Sequence, residues 1–213
     1  MRCGSVGWGF EKVTHRVVVL GEGVDEANLL NELAKQMNLD IQCVDCGGSQ
    51  QFHTRLKVVM AAPGFDRVKS LGVVRDAEGD AAGALASIRG RFRDEGLPVP
   101  NGPMERASAA DSPNTAFIVV PHGATAGMME DVVLRALEAH PATSCKDDYF
   151  ACLEGKGLNL DDDRKKREVQ VMLSGLESKS LSRSIGEAAK MGLLPLGDPA
   201  FAELRDFLEL VAG

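Results

Sequence analysis

Apolar positions along this chain fall into short β-branched runs that alternate with stretches where they recur every three or four residues. Arg16-Val17-Val18-Val19-Leu20 is nearly uninterrupted, the pattern of a strand buried on both faces. Past Gly21-Glu22-Gly23 the spacing changes, and Leu29, Leu30, Leu33 and Met37 share one face of a helix over 24–37. The alternation continues with a strand over 41–44 and a helix through Phe52, Leu56, Val59 and Met60 that stops near Pro63-Gly64. A strand over 70–75, an exit loop at 76–80 and a helix over 81–95 come next, then a strand over 115–120 and a helix over 128–140. Four prolines between Leu97 and Pro113 predict an exposed loop there. Strand–helix alternation of this kind predicts an α/β fold: a parallel sheet of about four strands, right-handed crossovers and helices on both faces. From 141 onward no strand pattern appears, and helical patterns lie near 147–153, 164–173, 181–191 and 199–211. The division that follows is a loose, glycine-rich arm over 1–14, an α/β domain over 15–141, and a helical C-terminal extension over 142–213 packed on it.

Composition narrows the class. With 213 residues, 44% hydrophobic and 26% charged, the chain can bury a full globular core. A formal charge of -7 excludes a histone-like coat on nucleic acid, though not an enzyme that meets a phosphodiester through a bound cation and a local basic patch. Only 5% of residues are aromatic, which disfavours a platform of stacked bases. No run approaches the ~18–20 apolar residues of a membrane span, and the first ten residues lack the apolar core of a signal peptide. Five cysteines without framework spacing read as reduced thiols, so the expectation is a cytoplasmic protein with no membrane partner.

In an open parallel sheet, ligands bind beyond the carboxyl ends of the strands. Acids stand there after three of the predicted strands: Glu22 after the first, Asp76, Glu78 and Asp80 after the third, and Glu130-Asp131 after the fourth. On an extended segment residues two apart point the same way, so 76, 78 and 80 are expected to converge. Gathered carboxylates repel unless a cation neutralises them, and an all-oxygen set suits Mg²⁺ or Mn²⁺. An alternative account covers Asp25, Glu26, Asp80 and Asp131 individually, since acids at helix N-termini complement the dipole.

The motif Val18-Val19-Leu20-Gly21-Glu22-Gly23-Val24-Asp25-Glu26 before a leucine-rich helix resembles the opening motif of the Toprim (topoisomerase–primase) fold, and Leu71-Gly72-Val73-Val74-Arg75-Asp76-Ala77-Glu78-Gly79-Asp80 resembles its second, an acidic triplet at a strand end. Cys46-Gly47-Gly48, Pro121 to Asp131, Cys145 to Leu153, Lys166 to Ser174 and Phe201 to Leu210 are similar to a small Toprim-like family related to the OLD (overcoming lysogenisation defect) nucleases, over about residues 16–211. The resemblance implies a Toprim/Rossmann-like sheet and a Mg²⁺- or Mn²⁺-dependent nuclease acting on DNA or RNA. It implies Glu22 as general base or metal ligand, Asp76, Glu78 and Asp80 as metal ligands, Glu26 as contributor to a second ion, and Lys166 as the cation that stabilises charge on the phosphate. Asp25, Glu130, Asp131 and His122 are additional candidates. Two departures stand out: Glu78 replaces the usual Asp, and Val24 occupies a position often basic in nuclease relatives. The alternative is a regulatory Toprim-like module that binds a nucleotide or partner protein; primase-like nucleotidyl transfer would use the same acids. A homo-oligomer is compatible with either.

Other candidates are weaker. Cys43-Val44-Asp45-Cys46 has half-site spacing for zinc, but no second close pair exists, so these read as structural thiols. The four histidines are scattered, and His122 alone follows a predicted strand end. Arg89, Arg91 and Arg93, and the run Arg164-Lys165-Lys166-Arg167, read as solvated helix faces from which Lys166 is singled out by the resemblance.

Overall fold

The computed structural model describes residues 10–160, 163–176 and 184–213. The apolar runs form strands β1 (Val17–Gly21), β2 (Ile41–Asp45), β3 (Ser70–Asp76) and β5 (Asn114–Val120), with a short β4 (Arg106–Ala107) between the last two. The helices are α1 (Val24–Gln36), α2 (Phe52–Ala61), α3 (Ala81–Asp94), α4 (Met129–Ala136), α5 (Ala142–Gly155), α6 (Arg164–Ser174), α7 (Ile185–Lys190) and α8 (Ala202–Ala212). Sheet order is β2-β1-β3-β5-β4. The pairs β1–β2, β1–β3 and β3–β5 are parallel, the last in register from Ser70 opposite Asn114 to Asp76 opposite Val120. The expected α/β class, with a four-stranded parallel core flanked by helices, is the class observed.

The difference is β4, which pairs antiparallel with β5 inside the stretch expected to be loop. Two residues carry no readable alternation, and the prolines around them dominate the local pattern. Of the helical pattern over 181–191, residues 181–183 lie outside the described set; the helix begins at Ile185, with the Ser184 hydroxyl accepting from the Glu187 amide at 3.3 Å.

Alternation along β3 divides the core. Leu71 and Val73 face a layer in which Phe52, Leu56 and Val59 of α2 and Ile88 and Phe92 of α3 pack on Val18, Leu20 and Phe117. Val74 faces the opposite layer, where Leu29, Leu30 and Leu33 of α1, Val133 of α4, Met172 of α6 and Phe207 of α8 meet Val19 and Ile118. Helix α8 approaches β3 so closely that a Cβ on Gly72 would stand 3.0 Å from Val211 and 3.2 Å from Phe207. At Gly186 the same closeness joins α7 to α1, with an added Cβ 2.7 Å from that of Asn28. C-terminal helices thus cover one face of the sheet and border its carboxyl edge. Among the described residues, no helix is long and apolar enough to cross a membrane.

Candidate active site

Parallel strands deliver all their carboxyl ends to one edge. Glu22 follows the last residue of β1, Asp76 ends β3, and Glu26 and Glu130 lie in the first turns of α1 and α4. Asp76 continues the face of Gly72 and Val74, and its Oδ1 accepts from the Met129 amide at 2.9 Å, at the N-terminus of α4. Glu22 continues the opposite face, and its Oε2 accepts from the Asp76 amide at 3.3 Å. The Glu22 carboxylate thus reaches the backbone of Asp76 at the shared edge.

The electrostatics is that of crowded anions. Burial, then the charges of Glu26, Glu22 and Glu130, push the Asp76 carboxyl up to about 9, against the pull of the Met129 hydrogen bond. Burial likewise raises Glu26, opposed by a backbone hydrogen bond and reinforced by Glu130, Asp25 and Glu22. Glu130 is raised by burial, with Lys166 opposing and Asp131 and Asp25 adding to the rise. The structure therefore brings Glu22, Glu26, Asp76 and Glu130 into one field.

The remaining candidates are placed differently. Glu78 is exposed, adopts a left-handed φ of 47°, and pairs through its backbone with Gly127 at 2.7 and 2.8 Å. Asp80, also exposed, caps α3 by accepting from the Gly83 amide at 3.0 Å. The chain after Asp76 is thus turned, not extended, and residues 76, 78 and 80 do not share a direction. Asp131 accepts from the Met128 amide at 3.0 Å and Glu26 from the Gly23 amide at 2.9 Å, so each caps its own helix. Asp25 accepts from the Gly186 amide at 3.3 Å, tying α7 to α1. At His122 the backbone amide donates to Glu203 Oε2 at 3.0 Å.

A cleft of about 370 Å³ opens beside the acids, lined by Val24, Asp25, Glu26, Glu130, Lys166 and Gln170 among others. The Lys166 side chain is exposed, with Nζ 3.5 Å from Asp163 Oδ1. Its neighbours in the basic run are engaged: Arg164 binds Glu154 and Glu168, and Lys165 lies 3.4 Å from Asp131 and 3.8 Å from Glu168.

Sequence reasoning missed Arg75. Its residue is 8% exposed, it lies in the α2/α3 layer, and its Nε is 3.5 Å from Glu22 Oε2. The available signal was a lone charge on the inward period of Leu71 and Val73. Cys46 is a buried thiol pushed up to about 12, by burial first and then by Asp45, in keeping with a structural role.

As placed, no three His, Cys, Asp or Glu side chains among the described residues form a ready-made metal site. The donor chemistry nevertheless fits a hard divalent cation: four carboxylates, oxygen only, held at one edge where burial and then their mutual repulsion raise Asp76. What that set can do chemically is bind such an ion and present a carboxylate to water.

Among solved structures, the chain is similar to the C-terminal region of the Burkholderia pseudomallei OLD protein, 15% identical, with 93% of this chain and 98% of that one covered and a TM-score of 0.47. It is also similar to the C-terminal region of the Xanthomonas campestris pv. campestris OLD protein, 14% identical, covering 96% and 95% with a TM-score of 0.44. No curated protein matches the chain. Residues 16–212 match a family model, and the chain belongs to that family, described as "Protein of unknown function (DUF3226)".

Proposed function

We propose that this protein is a metal-dependent phosphoryl-transfer enzyme, a Toprim-type nuclease that cleaves DNA or RNA phosphodiesters with Mg²⁺ or Mn²⁺. The observation that carries the reading is the gathering of Glu22, Glu26, Asp76 and Glu130 at the carboxyl edge, where Asp76 is pushed up to about 9. Gathered carboxylates repel unless a cation or a proton neutralises them, and the cleft beside them opens to solvent where an ion can enter. Asp76, Glu26 and Glu22 would hold the ion, with Glu130 alongside; Glu78 and Asp80, which the motif resemblance also implies as ligands, are engaged instead in a bridge with Gly127 and the cap of α3. When bound, the ion supplies charge neutralisation and polarisation of the scissile phosphate.

The chain's own residues do the rest. Glu22 serves as metal ligand or as general base toward the attacking water, the two roles that the motif resemblance implies. Lys166, on the cleft rim near Glu130, stabilises the charge that builds on the phosphate. Of the basic run, Lys166 is the residue that lines the cleft, so the strand's phosphates would meet it there.

The test is a cleavage assay of the purified protein with Mn²⁺ on single- and double-stranded DNA and RNA. Asp76→Ala is expected to lower cleavage at least ~10³-fold, the scale of losing several kcal/mol of charge stabilisation, with the melting temperature retained. Cleavage unchanged by Asp76→Ala sinks the site assignment. Tight Mn²⁺ binding without turnover on any nucleic acid favours the regulatory module over the nuclease.

A further inference from the structure

Arg75 stands directly beneath the site, on the opposite face of β3 from its neighbour Asp76. Its layer is otherwise apolar, built from Leu71, Val73, Phe52 and Phe92, and a cation in such surroundings is costly unless it is paired. Three elements hold it. Its Nη1 donates to Ser87 Oγ of α3 at 3.2 Å, its guanidinium lies 5.8 Å from the centroid of the Phe52 ring of α2, and its Nε points to Glu22 Oε2 at 3.5 Å. That Nε is buried and has no hydrogen-bond partner. The ion pair with Glu22 is therefore its electrostatic match rather than an incidental surface contact, both side chains being 10% and 13% exposed.

Seen from Glu22, two positive donors converge on a single atom. The Asp76 amide and the Arg75 guanidinium both address Oε2, and no hydrogen bond from the described residues reaches Oε1. One oxygen is thus fixed to β3 while the other is left for a ligand. We propose that Arg75 is the positioning residue of this site: it clamps Glu22 through Oε2 and so presents Oε1 to the divalent cation. This inference rests on the metal-dependent reading above and deepens it, since it says what orients the β1 carboxylate.

The sign of a metal-binding experiment separates this role from its rivals. A bare positive neighbour repels a cation, so its removal would tighten binding; an orienting partner loosens binding when removed, typically by 10–100-fold for groups behind a metal ligand. The measurement is Mn²⁺ affinity by electron paramagnetic resonance or calorimetry, on wild type, Arg75→Gln, Glu22→Gln and the double variant, each checked for its melting transition. Expected is a loosening of about 10-fold for Arg75→Gln in the wild-type background and no further loss in the Glu22→Gln background, where Asp76, Glu26 and Glu130 still bind the ion weakly. Arg75→Lys, which keeps a charge in the layer and guards against a folding failure, should give a smaller loss of the same kind. Unchanged or tightened affinity for Arg75→Gln overturns the proposal, as does an equal loss in both backgrounds. A wild-type protein that binds no Mn²⁺ overturns the metal-dependent reading itself and this inference with it, an outcome distinct from the others.

Discussion

Asp76 at the sheet edge and Glu168 in α6 are both carboxylates drawn below the surface, and the groups around them differ in sign. Glu168, 8% exposed, is met by Arg164 Nε at 2.6 Å, Lys165 Nζ at 3.8 Å and Lys146 Nζ at 3.9 Å, while the Arg164 guanidinium also lies over the Phe150 ring of α5 at 4.1 Å. The charges there close on themselves and join α5 to α6. Around Asp76 the neighbours are Glu26, Glu22 and Glu130, and its own carboxyl is pushed up to about 9. One region is electrically complete and serves the fold. The other is short of positive charge in a place open to a cleft, which is the condition of a site that takes its cation from outside.

Removing the carboxylate from each region should move stability in opposite directions. Glu168→Gln leaves three cations facing a neutral amide, and breaking a buried pair on one side costs about 3–5 kcal/mol. Because Lys165 is 48% exposed and Arg164 30%, water screens part of the repulsion and a loss of about 2–3 kcal/mol is expected. A urea melt with unchanged slope reads it directly. A variant as stable as wild type would mean the network is ornamental and the contrast false.

At Asp76 the expected change is a gain. A carboxyl raised from 3.8 to about 9 by burial and by neighbouring anions keeps its proton in the folded state long after the unfolded chain has released it. Its contribution is full below the unfolded value and is lost as pH rises toward the folded one, so metal-free stability should fall between about pH 4 and 9. Asp76→Asn mimics the protonated form and keeps an oxygen for the Met129 amide. It should stabilise the metal-free protein by about 2 kcal/mol at pH 8 and flatten that pH dependence, a tenfold difference in proton affinity between the two states being worth roughly 1.4 kcal/mol. Mn²⁺ should raise the melting temperature of wild type and leave that of Asp76→Asn nearly unmoved. Destabilisation at pH 8 would mean that Asp76 is not short of positive charge.

Much of this contrast was readable from sequence, but unevenly. The parallel strands were legible because β-branched runs such as Val17-Val18-Val19-Leu20 have no other comfortable conformation, and the strand-end rule then located Glu22, Asp76 and Glu130. The turn at Glu78 was not legible, because its left-handed backbone is set by pairing with Gly127, roughly fifty residues away. Arg75 was hidden for the same kind of reason: its partners Glu22, Phe52 and Ser87 come from three separate elements. The ion network of Glu168 depends on how α5 lies against α6, which no local pattern encodes.

Lys166 supplies the smallest and most specific test of the comparison, since it lines the cleft beside the acidic region. Its side chain is 58% exposed and its ion pair with Asp163, at 3.5 Å, is of the surface kind, so Lys166→Ala should change stability by no more than about 0.5 kcal/mol. Its positive charge nonetheless joins a backbone hydrogen bond in opposing the rise that burial imposes on Glu130. Removing it should let Glu130 rise further, visible as a later carboxylate titration by NMR. It should also lower cleavage about 10-fold without altering Mn²⁺ binding in the same proportion, the mark of a group that acts on the phosphate rather than on the ion. If Lys166→Ala instead destabilised the protein as much as Glu168→Gln, the lysine would belong to the structural network, and the line drawn between the two regions would have to move to the other side of α6.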